Sequence, residues 1–416
     1  MSQNPRTLHI VLNGVTEDSR VLKCAWSLGN AGWDVIVAGA TPFTHKDQIR
    51  IGYATIQRLG LKPVISQVLL AKVLRRLRYY WRRLQFYMGR AAKVDIPNYK
   101  RAYNAIESVA LDFKPHIIHA HDYTALPIAG ALVEKLRQSG SPCHLIYDAH
   151  EYVKGVHRKH PVWRHSMAIL ERQGIKKAGI VMTVSDTIAG MLQEDYKLKD
   201  HPVVVLNAPR LQQPQVDPEL KTIRTKLALS PEVPLHVYVG AAAPQRGLDA
   251  MIESLRFAPD HHIALVVNPS SPYVIGLREK AIELGVDARL HIHQYVPEWY
   301  VSTFISDATS GVIPILHYPN HEISLVTKFF EFLHAKLPII VSDVKTMSAE
   351  IEHRKNGLIF KAGDGAELAE RFKEITINRA KYVAAITPEL LTEYSWERQG
   401  DKLVAAHDAL AMKGNQ

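Results

Sequence analysis

The chain has 416 residues, 47% of them hydrophobic and 22% charged, which is long enough for two domains and excludes collagen-like and disordered classes. Two cysteines, Cys24 and Cys143, are too few for a disulfide framework and favour a reducing compartment. A net charge of +10 favours an anionic partner, with nucleic acid, substrate phosphates and an acidic membrane surface as candidates.

The first half of the sequence alternates strands with helices. Residues 7–13 are apolar and end at Asn13-Gly14, which is typical of a buried strand. A helix over 19–31 ends at Gly32, and a strand over 34–38 follows, so a βαβ unit is predicted. The alternation continues with strands over 116–119, 144–148, 179–184 and 203–206 and helices over 123–137, 162–177 and 186–192.

A segment with three prolines, residues 209–218, predicts a domain boundary. The second half then repeats the alternation, with strands over 235–239, 262–267, 289–293, 311–315, 339–342 and 357–360. Strands that alternate with helices form parallel sheets covered on both faces. The sequence therefore predicts an α/β fold of two Rossmann-like, doubly wound parallel-sheet domains.

Two segments of the second half have the residues of a phosphate-binding site. The first runs from a strand through Gly240 and Arg246 into a helix, whose free N–H groups suit an anion. A plain turn with a surface arginine is the alternative. In the second segment, Lys328 and Glu331 are three residues apart and share one helix face. Glu331 could accept hydrogen bonds from ribose hydroxyls, or it could simply pair with Lys328.

Residues 324–343 resemble the most recognisable segment of the family 4 retaining glycosyltransferases of the GT-B fold. Six other segments resemble that family in the correct order, from DSRVLKCAWSLGNAGWDVIVAG near the N-terminus to YSWE at residues 394–397. The resemblance covers nearly the whole chain. It implies an acceptor-binding domain over 1–212, a donor-binding domain over 219–388 facing it across a central cleft, and a C-terminal helix over 389–416 that packs back on the first domain.

The resemblance also implies roles for single residues. Glu331 matches the glutamate that binds the donor ribose, and Lys328 and Arg246 match residues that contact its diphosphate. The other positions that match donor or sugar contacts are Gly14, Gly240, Val296, Ser324, Leu325 and His121. Of these, Val296 would read the nucleobase through its backbone, and His121 would touch the transferred sugar.

The sequence departs from the family at two positions. Ile323 stands where the family usually has a first glutamate, and His321 or Glu322 is left as a substitute contact to the sugar. Ala241 stands where an arginine often follows the donor-domain glycine. These departures affect the contact to the sugar and one contact to the phosphates.

Histidines follow two strands of the first half. We place His119 and His121 on opposite faces of one strand, so that only His121 faces the ligand and His119 is structural. His150 follows the next strand and is a candidate acceptor contact. A zinc site formed by His157, His160 and His165 does not have a standard spacing, so no metal is predicted. Arg246 and Lys328 would replace a metal at the leaving phosphates.

Residues 66–93 contain eight Lys or Arg and no acidic residue. Their apolar residues fall on one helical stripe, which suits an anionic membrane surface. A stripe buried in the first domain is the alternative. Nucleic acid is not expected as a partner, because the charge is confined to this one segment and no nucleic-acid motif accompanies it.

The sequence therefore predicts a retaining, metal-independent glycosyltransferase that needs no cofactor and uses a UDP- or GDP-sugar. Its acceptor would be a glycan or a lipid-linked sugar. An epimerase acting on a sugar nucleotide and an inactive binding or partner subunit remain as alternatives. Because residues 1–14 lack the apolar core of a signal peptide, a cytoplasmic location is expected, with peripheral contact to the inner face of the plasma membrane as an option.

Overall fold

The computed structural model describes residues 4–15, 18–41, 47–52, 54–61, 76–77, 80–81, 84, 99–156, 161–211 and 221–413. The chain divides into two compact units. The first contains residues 1–205 and 400–416, and the second contains residues 206–399. The first unit therefore takes its last residues from the far end of the chain.

The first unit is built on an eight-stranded sheet in the order β3-β4-β2-β1-β5-β6-β7-β8. Its strands are β1 (Arg6–Val11), β2 (Asp34–Thr41), β3 (Asp47–Ile51), β4 (Ala54–Gly60), β5 (Ile117–His121), β6 (His144–Ala149), β7 (Ile180–Thr183) and β8 (Val203–Val204). Its described helices include Ser19–Asn30, Tyr99–Phe113, Asp122–Gln138, Pro161–Ile175 and Asp186–Tyr196. The final helix, Trp396–Lys413, contributes its residues from Gly400 onward to this unit.

The second unit is built on a six-stranded parallel sheet in the order β11-β10-β9-β12-β13-β14. Its strands are β9 (Leu235–Val239), β10 (His262–Val266), β11 (Leu290–His293), β12 (Ser310–Ile313), β13 (Ile339–Ser342) and β14 (Gly357–Phe360). The helices are Ile223–Leu227, Leu248–Ser254, Pro272–Glu283, Val301–Ile305, Pro319–Ile323, Thr327–His334, Lys345–Arg354, Gly365–Ile377, Arg379–Ala384 and Pro388–Glu393. Numbered within the unit, the strand order is 3-2-1-4-5-6, which is the Rossmann order.

Both faces of the second sheet are covered. On β9, Val237 and Val239 pack into one apolar cluster with Phe329, while Tyr238 packs into a second cluster with Leu265. Alternate residues of a strand point to opposite faces, so two clusters on one strand require helices on both sides of the sheet. The predicted doubly wound α/β fold is confirmed.

The first sheet differs from the prediction at one edge. β3 pairs antiparallel with β4, whereas the other neighbouring strands of this sheet pair in parallel. Neither β3 nor β4 was predicted from the sequence. The sheet is therefore mixed, with its antiparallel strand at the edge, an arrangement that is common in doubly wound folds.

Most of the basic segment 66–93 lies outside the described residues. The exceptions include Leu77, Trp81 and Leu84, which are helical and more than half exposed. Within the described part of the chain, no helix is both long enough and apolar enough to span a bilayer.

Candidate functional site

In open α/β sheets, ligands bind beyond the carboxyl ends of the strands, where the strand order reverses. In the second unit this point lies between β9 and β12, because the chain leaves β9 toward β10 on one side and returns to β12 on the other. Gly240 directly follows β9, and residues 314–326 join β12 to helix Thr327–His334. The predicted Gly240 and Lys328 therefore belong to the two segments that meet at this edge.

The backbone at Gly240 lies directly against the Lys328 side chain. Gly240 has φ +115°, and a Cβ placed on it would lie 2.8 Å from both Cε and Nζ of Lys328. Only glycine allows this conformation and this close approach together. Lys328 Nζ also lies 5.3 Å from the centre of the Tyr238 ring, a cation–π distance. The ammonium group is thus held over the end of β9.

The electrostatic environment of Lys328 favours an anionic ligand. Burial and the nearby charge of Arg246 lower the Lys328 pKa to about 8, and Glu331 opposes this shift. Two positive groups close together repel each other, and a phosphate placed between them would relieve that repulsion. Arg246, predicted from one motif, is therefore near enough to influence Lys328 and Glu331, which were predicted from another.

The loop that carries Arg246 is fixed to the rest of the unit. Arg246 ends a single turn, Pro244–Arg246, and Gly247 follows with φ +68°. A Cβ on Gly247 would lie 2.0 Å from the carbonyl oxygen of Pro314, and the Leu316 N–H donates to Gln245 O at 3.0 Å. The loop after β9 is thereby bound to the loop after β12, which limits the positions that Arg246 can take.

Helix Thr327–His334 presents its N-terminus at the same edge. Its N-cap residue is Val326, which has no side-chain oxygen to occupy the first N–H groups of the helix. Such a terminus attracts anions. The preceding Ser324 and Leu325 are half-buried, and Leu325 packs with Val296 against the apolar cluster beneath them.

The two candidate sugar contacts have different surroundings. Glu322 accepts from the Lys345 N–H at 2.9 Å and contacts His317 at 2.6 Å. Its carboxylate therefore links His317 to the start of helix Lys345–Arg354. His321 is buried, and its Nδ1 donates to Leu316 O at 2.7 Å, which directs Nε2 away from that bond. Burial and the Arg246 charge contribute to a lowered pKa for His321. The geometry favours His321 over Glu322 as a ligand contact.

A second group of predicted residues lies at the switch point of the first unit, between β1 and β5. The loop after β1 contains Gly14, followed by Val15 at φ +64°. Asn13 Oδ1 accepts from the Val15 N–H, and Asn13 Nδ2 donates to Asp18. These bonds fix the loop in a conformation that few non-glycine residues adopt.

His121 ends β5 and is completely buried, whereas His150 after β6 is 24% exposed on its side chain. Both face Asp148, with His121 Nδ1 at 3.4 Å and His150 Nε2 at 3.3 Å from Oδ2. Burial acts to lower the pKa of His150, but the charge of Asp148 outweighs it and the pKa is raised. The predicted His121 and His150 thus share one carboxylate.

The placement of His119 and His121 on opposite strand faces is wrong. Their rings stack with centroids 4.3 Å apart and an interplanar angle of 14°. Residues two apart in a strand lie on the same face, because the side-chain period of a strand is two. His119 therefore belongs to the same cluster as His121.

Sequence reasoning missed the ion pair that organises this cluster. Arg20 donates to both oxygens of Asp148 at 2.7 and 2.8 Å and to Val205 O at 2.7 Å, and its side chain is 4% exposed. Burial opposes ionisation of Asp148, but Arg20 and the histidines hold its pKa well below the usual range. The pair is separated by 128 residues and has no local sequence pattern, although the sheet register places Asp148 beside His121.

The contact between Gly240 and Lys328 gives a mutational prediction. In Gly240→Ala, the new Cβ must displace the Lys328 ammonium group, and the alanine backbone must adopt a strained φ. We therefore expect a stability loss of about 1–3 kcal/mol and weaker anion binding. Gly190→Ala is the matched control, because a Cβ there has no described atom within 4 Å. It should be neutral or stabilise the helix by about 0.5–1 kcal/mol. Thermal unfolding and nucleotide titration of both variants test this; equal behaviour would contradict it.

Two family models match this chain, one in each half. Residues 18–209 match the family described as glycosyl transferase 4-like domain, and residues 220–388 match the family described as glycosyl transferases group 1. No curated protein sequence matches the chain.

Solved structures of similar fold cover nearly the whole chain. A sucrose-phosphate synthase from Thermosynechococcus elongatus matches with a TM-score of 0.73 and 15% identity, over 98% of this chain and 99% of that one. Anabaena HepE in complex with UDP matches with a TM-score of 0.67 and 12% identity, over 97% of this chain and 100% of that one. The catalytic domain of starch synthase IV from Arabidopsis thaliana, bound to ADP and acarbose, matches with a TM-score of 0.65 and 14% identity, over 99% of both chains.

Proposed function

Because the chain belongs to the family 4 glycosyltransferases of the GT-B fold, we propose that it transfers a sugar from a nucleoside diphosphate donor to a glycan or lipid-linked acceptor with retention of the anomeric configuration. The class of enzyme and the use of a nucleotide-sugar follow from the family. Retention, the acceptor and the residue roles are the proposal.

One observation carries the assignment of the donor site: Lys328 Nζ lies over Gly240 at the carboxyl end of β9, with Arg246 close enough to lower its pKa. A glycine at a strand end, two cations and a helix N-terminus are the elements that bind a diphosphate in this class of sheet. Glu331, on the same helix, would bind the ribose hydroxyls. Val296 would contact the base, and the backbone of Ser324 and Leu325 would approach the phosphates.

The reaction requires stabilisation of a leaving group. The bond between the anomeric carbon and the phosphate oxygen breaks, and the electron pair goes to the diphosphate. Lys328 and Arg246 would stabilise the charge that develops there, an effect that often dominates catalysis. The acceptor oxygen attacks the same face of the sugar, and its proton passes to the departing phosphate oxygen. No carboxylate nucleophile is needed in this scheme.

We assign the sugar and acceptor contacts to the first unit and to His321. His150 is the partly exposed member of the histidine cluster, and its raised pKa supplies a positive charge. His121, which is buried, would position His150 through their shared contact with Asp148. Gly14 would leave the backbone of the loop after β1 open to a sugar.

We also propose peripheral binding to an anionic membrane through residues 66–93. Leu77, Trp81 and Leu84 are spaced by four and three residues, lie on one helical face, and are 54–61% exposed. Exposed Trp and Leu among many basic residues are typical of interfacial helices. This location would bring the enzyme to a lipid-linked acceptor.

The stereochemistry can be tested before an acceptor is known. Transfer to water in place of the acceptor releases a free sugar, whose configuration can be read from its anomeric proton by NMR. We expect the first-formed sugar to keep the donor configuration. Release of the opposite anomer would overturn the proposed retention. A sugar nucleotide of altered configuration, without release of nucleotide, would indicate an epimerase instead.

A further inference from the structure

We propose that His9, His119 and His407 form a binding site for a divalent transition-metal ion of the zinc class inside the first unit. His9 lies on β1, His119 on β5 and His407 on the final helix, and all three are completely buried. One ring nitrogen of each lies within 4.8 Å of those of the other two. The site would be separate from Lys328, Arg246 and Glu331, which belong to the second unit.

The spacing of the three rings fits a common ion. Their centroids are 4.6 Å apart for His9 and His119, 5.2 Å for His119 and His407, and 6.0 Å for His9 and His407. Three imidazoles around one tetrahedral zinc, with Zn–N bonds of about 2.0–2.1 Å, place their centroids about 5 Å apart. Small ring rotations would bring the three nitrogens onto one ion.

The hydrogen bond of His407 fixes which of its ring nitrogens carries a lone pair. Its Nδ1 is 2.9 Å from the carbonyl oxygen of Leu403, and a carbonyl can only accept, so Nδ1 carries the proton. Nε2 is then the atom with the lone pair, and it is buried with no hydrogen-bond partner among the described residues. A histidine that donates one nitrogen to a backbone carbonyl is the usual state of a metal ligand.

The tautomer of His9 follows from its neighbours. His121 Nδ1 lies 3.4 Å from both Asp148 Oδ2 and His150 Nε2. We place the Nδ1 proton toward Asp148, which can only accept, so His121 keeps a lone pair on Nε2. His9 Nδ1 lies 2.8 Å from that Nε2 and therefore donates to it. His9 Nε2 is left with its lone pair, buried and without a partner in the described part of the chain. This is again the arrangement of a metal ligand.

His119 supplies the third nitrogen. Its Nε2 is 3.8 Å from Asp148, too far for a hydrogen bond, and neither ring nitrogen is satisfied by any described residue. Unsatisfied buried polar atoms carry a free-energy cost that a bound ion would remove. Asp148 itself is not the preferred ligand, because Arg20 occupies both of its oxygens.

The ion would attach the final helix to the sheet. His407 is the neighbour of Asp408, which accepts from Trp33 Nε1 at 3.0 Å, so the helix is already fixed at this level. Coordination would join this helix to strands β1 and β5. Imidazole ligands suit zinc, copper, iron and nickel, and Co²⁺ belongs to the same series of divalent first-row metals, so it is a usable probe.

The test is a Co²⁺ titration of the full-length protein after treatment with a chelator. We expect one equivalent to bind and to give the visible absorption of a low-coordinate nitrogen-ligated ion, with a rise in melting temperature. His407→Gln should weaken binding at least about 100-fold. His261→Gln is the control. It replaces a histidine of the second unit that pairs with His236, and both ring nitrogens of His236 are already in hydrogen bonds. The control should leave the spectrum unchanged.

Two results would overturn the proposal. The first is a wild-type protein that binds less than one equivalent or gives only the spectrum of hydrated Co²⁺, a result that does not depend on any variant folding. The second is equal Co²⁺ binding by the wild type and His407→Gln. Any zinc found in the protein as purified would then be bound adventitiously at the surface.

Discussion

Replacement of Lys328 by alanine is expected to lower kcat/KM roughly 100- to 1,000-fold, equivalent to about 2.7–4 kcal/mol of transition-state stabilisation. The ammonium group lies over Gly240 beside Arg246, where charge would develop on the leaving diphosphate. Lys336→Ala is the matched control, because Lys336 follows the same helix but is exposed. Its activity should equal that of the wild type. Comparable losses in both variants, measured by nucleotide release, would contradict the role of Lys328.

The same lysine gives a pH dependence with a defined sign. Its pKa is lowered to about 8 in the free protein, and only the protonated form attracts a diphosphate. Donor affinity should therefore be constant below pH 8 and fall above it, by at most about tenfold per pH unit. Lys328→Arg keeps its charge in this range and should remove the slope. A slope that persists in Lys328→Arg would assign the titration to another group.

Loss of Asp148 is expected to be the most destabilising single change in the first unit. Asp148→Ala leaves the buried Arg20 charge without its partner, which costs about 3–5 kcal/mol. For a unit of this size, the unfolding transition should move down by about 10 °C. Calorimetry of the wild type and the variant measures the shift.

A surface ion pair gives the control for this prediction. Lys135 and Glu107 are 2.6 Å apart, but their side chains are 47% and 22% exposed, so Glu107→Ala should move the unfolding transition far less than Asp148→Ala. The double variant Arg20→Met/Asp148→Leu should recover much of the lost stability, because it removes both charges together. Equal shifts for Asp148→Ala and Glu107→Ala would show that burial of the pair has no energetic role.

The strands of the second unit could be predicted from sequence because each is a buried apolar run with clear ends. Residues 235–239, 339–342 and 357–360 agree with the observed strands at both ends. Gly240 and Pro338 mark two of these boundaries, since glycine and proline interrupt regular structure. The hairpin of β3 and β4 was missed because its residues mix polar and apolar types without a continuous run.

The donor residues could be proposed from sequence because they lie in two short motifs. Gly240 and Lys328 were identified separately, and the sheet order explains why they meet: β9 and β12 are neighbours at the point where the order reverses. The close approach of the two residues, 2.8 Å between the Cβ position of Gly240 and Lys328 Nζ, could be learned only from the structure.

The histidine cluster could not be predicted for a different physical reason. His9, His119 and His407 are brought together by strand register and by the return of the final helix to the first unit. Neither is encoded in a local pattern. The one part that the sequence does determine, the shared face of His119 and His121, follows from the period of two in a strand and was assigned to the wrong faces.

The central claim is that the second unit binds a nucleoside diphosphate sugar through Lys328, Arg246 and Glu331. Thermal unfolding with UDP-, GDP-, dTDP- and ADP-sugars tests it directly, with Glu331→Ala beside the wild type and the exposed Glu352→Ala as control. A ligand at 100 times its dissociation constant adds about 2.7 kcal/mol, which is readily measured. We predict that one nucleotide class stabilises the wild type and Glu352→Ala but not Glu331→Ala. Stabilisation by none of them, or equal stabilisation of all three proteins, would contradict the assignment of this site.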